Sequence, residues 1–366
     1  MNAQEEFKEI TECIYFDYNI FSSIISFWDY VDNESYQTSY LIYILLNQFF
    51  DMKKLCIPYS FGHIWDALNG TKLIDNKIDI INTISKSWYV CEDNSDNNCI
   101  RIDKCIDIYE HFKESYESLK FSNEIQSVFD PLIENAFENS MLNYTITENY
   151  SMDLHNKITE LYKEKKVKSQ HDLLQFCYKI INIQNIKNNI NFKNITRDLL
   201  ISKMNLFIKK NNYLSLIDVK NIEDFKKFHD KLQFNNSQSE FSKNVFAYSL
   251  LCDYIGLTKE TNEKIYKESF ASGMINDLLH LSIGLRCSKF VSNDKNLIIK
   301  AIICKYLMNL NVKIFCVEDY YQFIINEYVK YNFPNENEKE ITVNLNINNN
   351  QFQKIIKTKF EKKLYY

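Results

Sequence analysis

The sequence predicts an α/β protein with a mainly parallel sheet and a large all-helical insertion, and three observations lead there. Two apolar runs far apart in the chain, Ile14-Tyr15-Phe16 and Phe290-Val291, each close on an aspartate turn (Asp17, Asp294) and pass into a helical pattern, as strand-turn-helix units do. The 366 residues include only 5 Gly and 3 Pro, too few turn formers for an all-β protein. Between 104 and 268 the apolar residues recur mainly at helical spacing.

Taken in order, residues 3–10 read as an amphipathic lead-in, 14–18 as the first strand, 20–31 as its helix and 36–52 as a longer apolar helix. Leu55-Cys56-Ile57-Pro58 is a second strand, with its proline near the end, where a missing donor costs least. In the segment that follows, Ser60 is placed to open a helix and Asp66 falls about two turns into it. Trp88 to Glu92 and Cys99 to Ile102 flank a polar loop as a hairpin. Helical stretches follow at Cys105 to Phe112, Leu173 to Ile181 and Val245 to Cys252, with Asn- and Lys-rich joints near 182–196 and 233–244 and no repeat of fixed period.

The strand pattern returns after a helix, Met274 to Gly284, that ends near its glycine. A strand closing on Asp294, a helix over 295–309, a strand from Val312 to Val317 and a helix from about Glu318 complete the second βα run. Within 334–350, alternating Ile341, Val343, Leu345 and Ile347 suit a small edge strand, and the lysine-rich end reads as a helix or loose tail. The chain thus divides into 1–103 and 269–330, two parts of one α/β domain, a helical insertion over 104–268 and a C-terminal tail over 331–366.

The formal net charge of −5 gives no global attraction to nucleic acid, so phosphate contacts would need local lysines. Lys163, Lys165, Lys166 and Lys168, Lys209 and Lys210, and Lys354, Lys357, Lys359, Lys362 and Lys363 form such clusters, and each also reads as a solvated helix face. Arginine occurs only three times, at Arg101, Arg197 and Arg286, so a lysine in place of an arginine carries little meaning. Ten cysteines are scattered, several of them in apolar runs, which suits a reducing, cytoplasmic setting. The first ten residues lack a secretory pattern. The most apolar stretch, Tyr40 to Phe50, is interrupted at Asn47 and Gln48 and is shorter than the roughly 20 residues of a membrane span, so no membrane role is expected.

Four aspartates occupy related positions on the βα units: Asp17 and Asp294 after strands, Asp66 and Asp277 in helices. Carboxylates gathered at one sheet edge repel one another, and a hard divalent cation removes that cost. Such an ion can activate water and stabilise the charge that builds during phosphodiester cleavage. Individually each residue has a plainer reading: Asp17 and Asp294 as helix caps, Asp66 as a solvent-facing helix residue, His280 as a core histidine. Their joint order and spacing make the case.

These residues resemble the motifs of PIN-domain ribonucleases. Ile14-Tyr15-Phe16-Asp17-Tyr18-Asn19-Ile20-Phe21 is similar to the first, an apolar strand followed by Asp-x-Asn. Ile57-Pro58-Tyr59-Ser60, with His63 and Asp66, is similar to the second. Asn276-Asp277-Leu278-Leu279-His280 and Phe290-Val291-Ser292-Asn293-Asp294-Lys295 are similar to the third and fourth. The likeness covers roughly residues 12–103 and 270–325. It implies a PIN-like α/β/α sandwich and an endoribonuclease with Mg²⁺ or Mn²⁺ as cofactor and RNA as substrate. It further implies metal ligation by Asp17, Asp277 and Asp294 with Asp66 completing the cluster, and orienting roles for Asn19, Ser60 and Ser292, with His280 beside them. Asp66 stands where many members carry Glu, and the 104–268 block has no counterpart in a compact PIN domain.

The expected biological role is a bacterial toxin or anti-phage defence effector, with the helical block binding a protein partner or antitoxin. A different class remains open: a non-catalytic binding or scaffold protein on a degenerate PIN-like core. Cys91, Cys99, Cys105 and His111 lack the paired short spacings of a structural zinc site.

Overall fold

The computed structural model describes residues 12–27, 34–53, 55–69, 74–92, 99–105, 110–111, 113–114, 189–192, 195–210, 214, 219–231, 239–258, 270–332, 338–347 and 350–359. Four parallel strands, β1 (Glu12–Phe16), β2 (Leu55–Cys56), β5 (Lys289–Ser292) and β6 (Lys313–Cys316), form the central sheet in the order β2-β1-β5-β6. Two further strands, β3 (Trp88–Glu92) and β4 (Ile100–Lys104), make the antiparallel hairpin expected there. The α/β expectation with a mainly parallel sheet is thus met.

Strand β1 shows why its run is apolar without alternation: both of its faces are covered. Cys13 and Tyr15 belong to one buried cluster and Ile14 and Phe16 to the other, as a period of two requires. The Ile14 side is packed by α1 (Tyr18–Ser26), α2 (Glu34–Lys53), α3 (Phe61–Asn69), α4 (Ile74–Ser85) and α10 (Val317–Asn332). The Tyr15 side is packed by α5 (Arg197–Lys210), α6 (Ile222–Lys231), α7 (Glu240–Tyr254), α8 (Phe270–Gly284) and α9 (Lys295–Met308). Helix α4 has no counterpart among the expected elements, and α1 ends at Ser26, short of the expected 31.

Helices α5, α6 and α7 fall in the block expected as an insertion. Their apolar faces are buried with those of α8 and α9, in a core that also contains Cys13, Tyr15 and Phe290 from the sheet. This part of the block is therefore a layer over the sheet. The expected lead-in at 3–10, the helix at 173–181 and the lysines at 163–168 lie outside the described residues. Lys209 and Lys210 are exposed at the end of α5, as a solvated face would have them.

The lysine-rich end differs from expectation. It forms neither helix nor loose tail over its described part. Instead β8 (Asn350–Lys359) pairs antiparallel with β7 (Glu338–Ile347), from Glu338 opposite Lys359 to Ile347 opposite Asn350. The register sets Ile341 opposite Ile356, Val343 opposite Lys354 and Leu345 opposite Phe352. No helix among the described residues is long and apolar enough to cross a membrane.

Candidate active site

Counting the parallel strands as they occur in the chain, the sheet order is 2-1-3-4, and the direction of winding reverses between β1 and β5. In open α/β sheets the crevice at the carboxyl ends of the strands flanking that reversal is where ligands bind. Asp17 directly follows β1, and Ser292 and Asp294 close β5 and open α9, so all three stand at this point. The Asp17 backbone N–H donates to the Val291 carbonyl at 3.0 Å, continuing the ladder between the two strands.

The two strand-end aspartates have different local duties. Asp17 is at the N-cap position of α1, yet its carboxylate makes no capping hydrogen bond. Its Oδ2 instead accepts from Ser292 Oγ at 2.8 Å and from Asn19 Nδ2 at 3.1 Å. Asp294 does cap: its Oδ1 accepts from the backbone N–H of Asn296 at 2.7 Å and of Leu297 at 3.1 Å. Ser292 Oγ in turn accepts from the Asp294 N–H at 3.0 Å, so one hydroxyl ties the two turns together.

Asp277 approaches from α8 and is close enough to Asp17, Asp294 and His280 to sense their charges. Burial, together with the negative charges of Asp17 and Asp294, pushes the Asp277 carboxyl up to about 7, against the opposing pull of Lys300 and His280. Burial likewise raises Asp17, opposed by His280 and by the Ser292 hydrogen bond and reinforced by Asp66 and Asp294. Asp17, Asp277 and Asp294 thus lie within electrostatic reach of one another.

Asp66, unlike the other three, is paired with a histidine. His280 Nε2 lies 3.1 Å from Asp66 Oδ2, with the imidazole buried and the carboxylate about a third exposed. Burial works against charge on His280, but the hydrogen bond to Asp66 and the charges of Asp17, Asp66 and Asp277 outweigh it and raise its pKa. Behind the imidazole runs a buried chain: His280 Nδ1 to Tyr15 OH at 2.7 Å, and Tyr15 OH to Ser60 Oγ at 2.6 Å. With His280 protonated, its Nδ1–H donates to Tyr15 and the tyrosine donates its own proton to Ser60.

His63 closes the chain in the opposite state. The Ser60 N–H donates to His63 Nδ1 at 3.0 Å, so Nδ1 carries no proton and Nε2–H donates to the Phe16 carbonyl at 2.7 Å. Burial, then the nearby His280, holds His63 well below the usual imidazole range. Gly62 makes room for this arrangement, since a Cβ there would stand 2.9 Å from His280 Nε2. The close approach of α3 to α8 thus needs a glycine.

The sequence-predicted residues fall into two groups. Asp17 and Asp294, with Asn19 and Ser292, form one hydrogen-bonded group at the switch point whose charge Asp277 feels from α8, while Asp66, Ser60 and His280 belong to the adjoining chain of hydrogen bonds. Tyr15 was not among the predicted site residues, and its apolar neighbours in β1 disguise its hydroxyl. Lys300 was missed too. It is buried in α9, 2.9 Å from Asp253, which is also buried and accepts from Thr258 Oγ1, and its charge reaches Asp277. The signal was a lysine between Ile299 and Ala301 on an otherwise apolar stripe.

The four carboxylates are hard oxygen donors of the kind that suits Mg²⁺ or Mn²⁺, and the raised pKa values of Asp17 and Asp277 are a cost that such an ion relieves. Among the described residues, no three His, Cys, Asp or Glu side chains are already grouped as a metal site. The donor chemistry fits the ion, and the ligand cage is not closed. No family model, curated protein or solved structure matches this chain.

Proposed function

We propose that this chain is a metal-dependent endoribonuclease of PIN-like type. The observation that carries the reading is the tie of Asp17 and Asp294 through Ser292 at the switch point, with their charges felt by Asp277 on α8 and none of the three ion-paired among the described residues. Burial and like charge make Asp17 and Asp277 resist ionisation, a property useful in a site that takes up a cation. Asp17, Asp277 and Asp294 would hold the Mg²⁺ or Mn²⁺. When bound, the ion supplies an activated water and stabilises charge on the phosphodiester.

The protein's own contribution is orientation. Ser292 and Asn19 both donate to Asp17 Oδ2, fixing that carboxylate and leaving Oδ1 with no hydrogen bond among the described residues. The capping bonds fix Asp294 through Oδ1 in the same way. Asp66 and Tyr15 hold His280 from its two ends and fix the orientation of the imidazole beside the acidic group. The biological role proposed with this chemistry is a toxin or anti-phage effector, cytoplasmic, with RNA as substrate and a protein partner or antitoxin on the helical layer.

The scaffold reading has one observation in its favour: Asp294 spends an oxygen on the α9 cap, and Asp66 is committed to His280. Incubation of purified full-length protein with labelled RNA and single-stranded DNA, with Mn²⁺ or with chelator, separates the two. Internal cleavage of RNA that needs Mn²⁺ supports the nuclease, and intact substrates across all four conditions support the scaffold.

A further inference from the structure

On the opposite edge of the sheet, three thiols stand in a row. Cys13 and Cys56 are registered neighbours on β1 and β2, and Cys287 lies just before β5. All three are buried and free. The sulfur atoms of Cys13 and Cys287 are 3.4 Å apart in a hydrogen bond. The backbone is pinned around them, with the Cys13 N–H donating to Ser288 Oγ at 3.1 Å and the Ser288 N–H to the Cys13 carbonyl at 3.0 Å. Cys287 also donates to the Ile283 carbonyl at 3.6 Å, as Cys252 does to the Tyr248 carbonyl at 3.0 Å, but Cys252 has no thiol hydrogen-bonded to it among the described residues.

We infer that Cys13 and Cys287 are an oxidative modification site, forming a disulfide when the protein meets a peroxide, with Cys13 reacting first and Cys287 resolving it. A disulfide S–S bond is about 2.05 Å long, so the two sulfurs must close by roughly 1.3 Å, within reach of a side-chain rotation. An open cavity of about 540 Å³ is lined in part by Glu12, Cys287 and Ser288, so it reaches the Cys287 side of the pair. Hydrogen bonding with Cys287 and Cys56 lowers the Cys13 thiol to about 5, while Cys287 is raised by its bond with Cys13 and by burial. The thiolate is the reactive form, which makes the central cysteine the nucleophile.

The chemistry balances with peroxide as the only co-reactant. Cys13 thiolate attacks one peroxide oxygen, the O–O bond breaks, and the departing hydroxide takes up the thiol's proton as water, leaving a sulfenic acid. Cys287 sulfur then attacks the Cys13 sulfur and the S–O bond breaks. The hydroxide released takes the Cys287 proton, so two thiols are oxidised to one disulfide and one peroxide is reduced to two waters. The bond ties β1 to the start of β5, four residues before Asp17 and seven before Asp294.

The test uses the reduced full-length protein, treated with hydrogen peroxide, blocked with N-ethylmaleimide and digested without reductant for mass spectrometry. The expected result is a linked pair of peptides carrying Cys13 and Cys287 that separates on addition of dithiothreitol. In Cys287→Ala, Cys13 should become labelled by dimedone or linked to Cys56 instead. The inference is overturned if Cys13 and Cys287 still carry N-ethylmaleimide at a peroxide dose that oxidises the exposed Cys99, or if the wild-type link joins Cys13 to Cys56. Should Cys287→Ala not fold, the wild-type peptide map decides alone.

Discussion

Replacing Asp294 by Asn and by Ala distinguishes a ligand from a helix cap. Asn offers the same oxygen in the same place, so it keeps the two bonds that Asn296 and Leu297 now donate to Asp294 while removing a negative charge. With chelator present, Asp294→Asn should therefore be as stable as the wild type or more so, because Asp17 and Asp277 each lose a like-charged neighbour. Asp294→Ala loses the cap as well, a cost of about 1 kcal/mol. Binding of Mn²⁺ only to the folded state at 100 times its dissociation constant contributes about 2.7 kcal/mol. Taking roughly 2.1 cal/mol/K per residue over 366 residues, unfolding as one unit converts that to a rise in Tm of about 3 to 4 °C. Differential scanning calorimetry should show that rise for wild type and a much smaller one for both variants. Wild type that does not respond to saturating Mn²⁺, or Asp294→Asn that keeps the full rise, refutes the reasoning.

Three further outcomes are expected. Gly62→Ala should destabilise the protein by about 1 to 3 kcal/mol in urea denaturation, because the new methyl meets the His280 ring, and a neutral result would show that α3 and α8 can part freely. With chelator present, stability should fall as pH rises from about 4 to about 7: the folded Asp277 holds its proton up to about 7 while the unfolded group gives it up near 3.8, so the native state binds more protons in that window. The slope from this group is at most about 1.4 kcal/mol per pH unit, and stability that climbs through the window, measured by denaturation at each pH, would contradict the shift. Lys300→Met should cost on the order of 3 to 5 kcal/mol by stranding the buried Asp253 charge, whereas Lys300→Met with Asp253→Leu should recover much of the loss, and a double variant no better than the single would deny the pairing.

What could be read from the sequence follows physical locality. Strands β1 and β5 were legible because strands buried on both faces are continuously apolar, and the aspartates after them because a helix start and a ligand site favour the same residue. Asp17 shows the limit of that reading, since only the structure reveals that its carboxylate does no capping. The Tyr15, Ser60 and His280 chain joins residues 45 and 265 positions apart, and nothing local announces such a contact. Strand β8 was misread because Lys354 and Lys357 fall at helical spacing, while its pairing with β7 is a contact that the local pattern of β8 does not announce. Lys300 was hidden by habit: a lysine in a helix is normally solvated, and here a partner buried in α7 holds it inside.

The central claim is that the switch-point carboxylates take up a divalent metal, and the most direct measurement is a Mn²⁺ titration followed by electron paramagnetic resonance, which counts free ion. Wild type should remove about one or two Mn²⁺ per chain from solution at micromolar concentrations. Asp17→Asn/Asp277→Asn should leave essentially all of it free while retaining the wild-type circular dichroism. Equal uptake by the folded double variant, or none by wild type, would contradict the account.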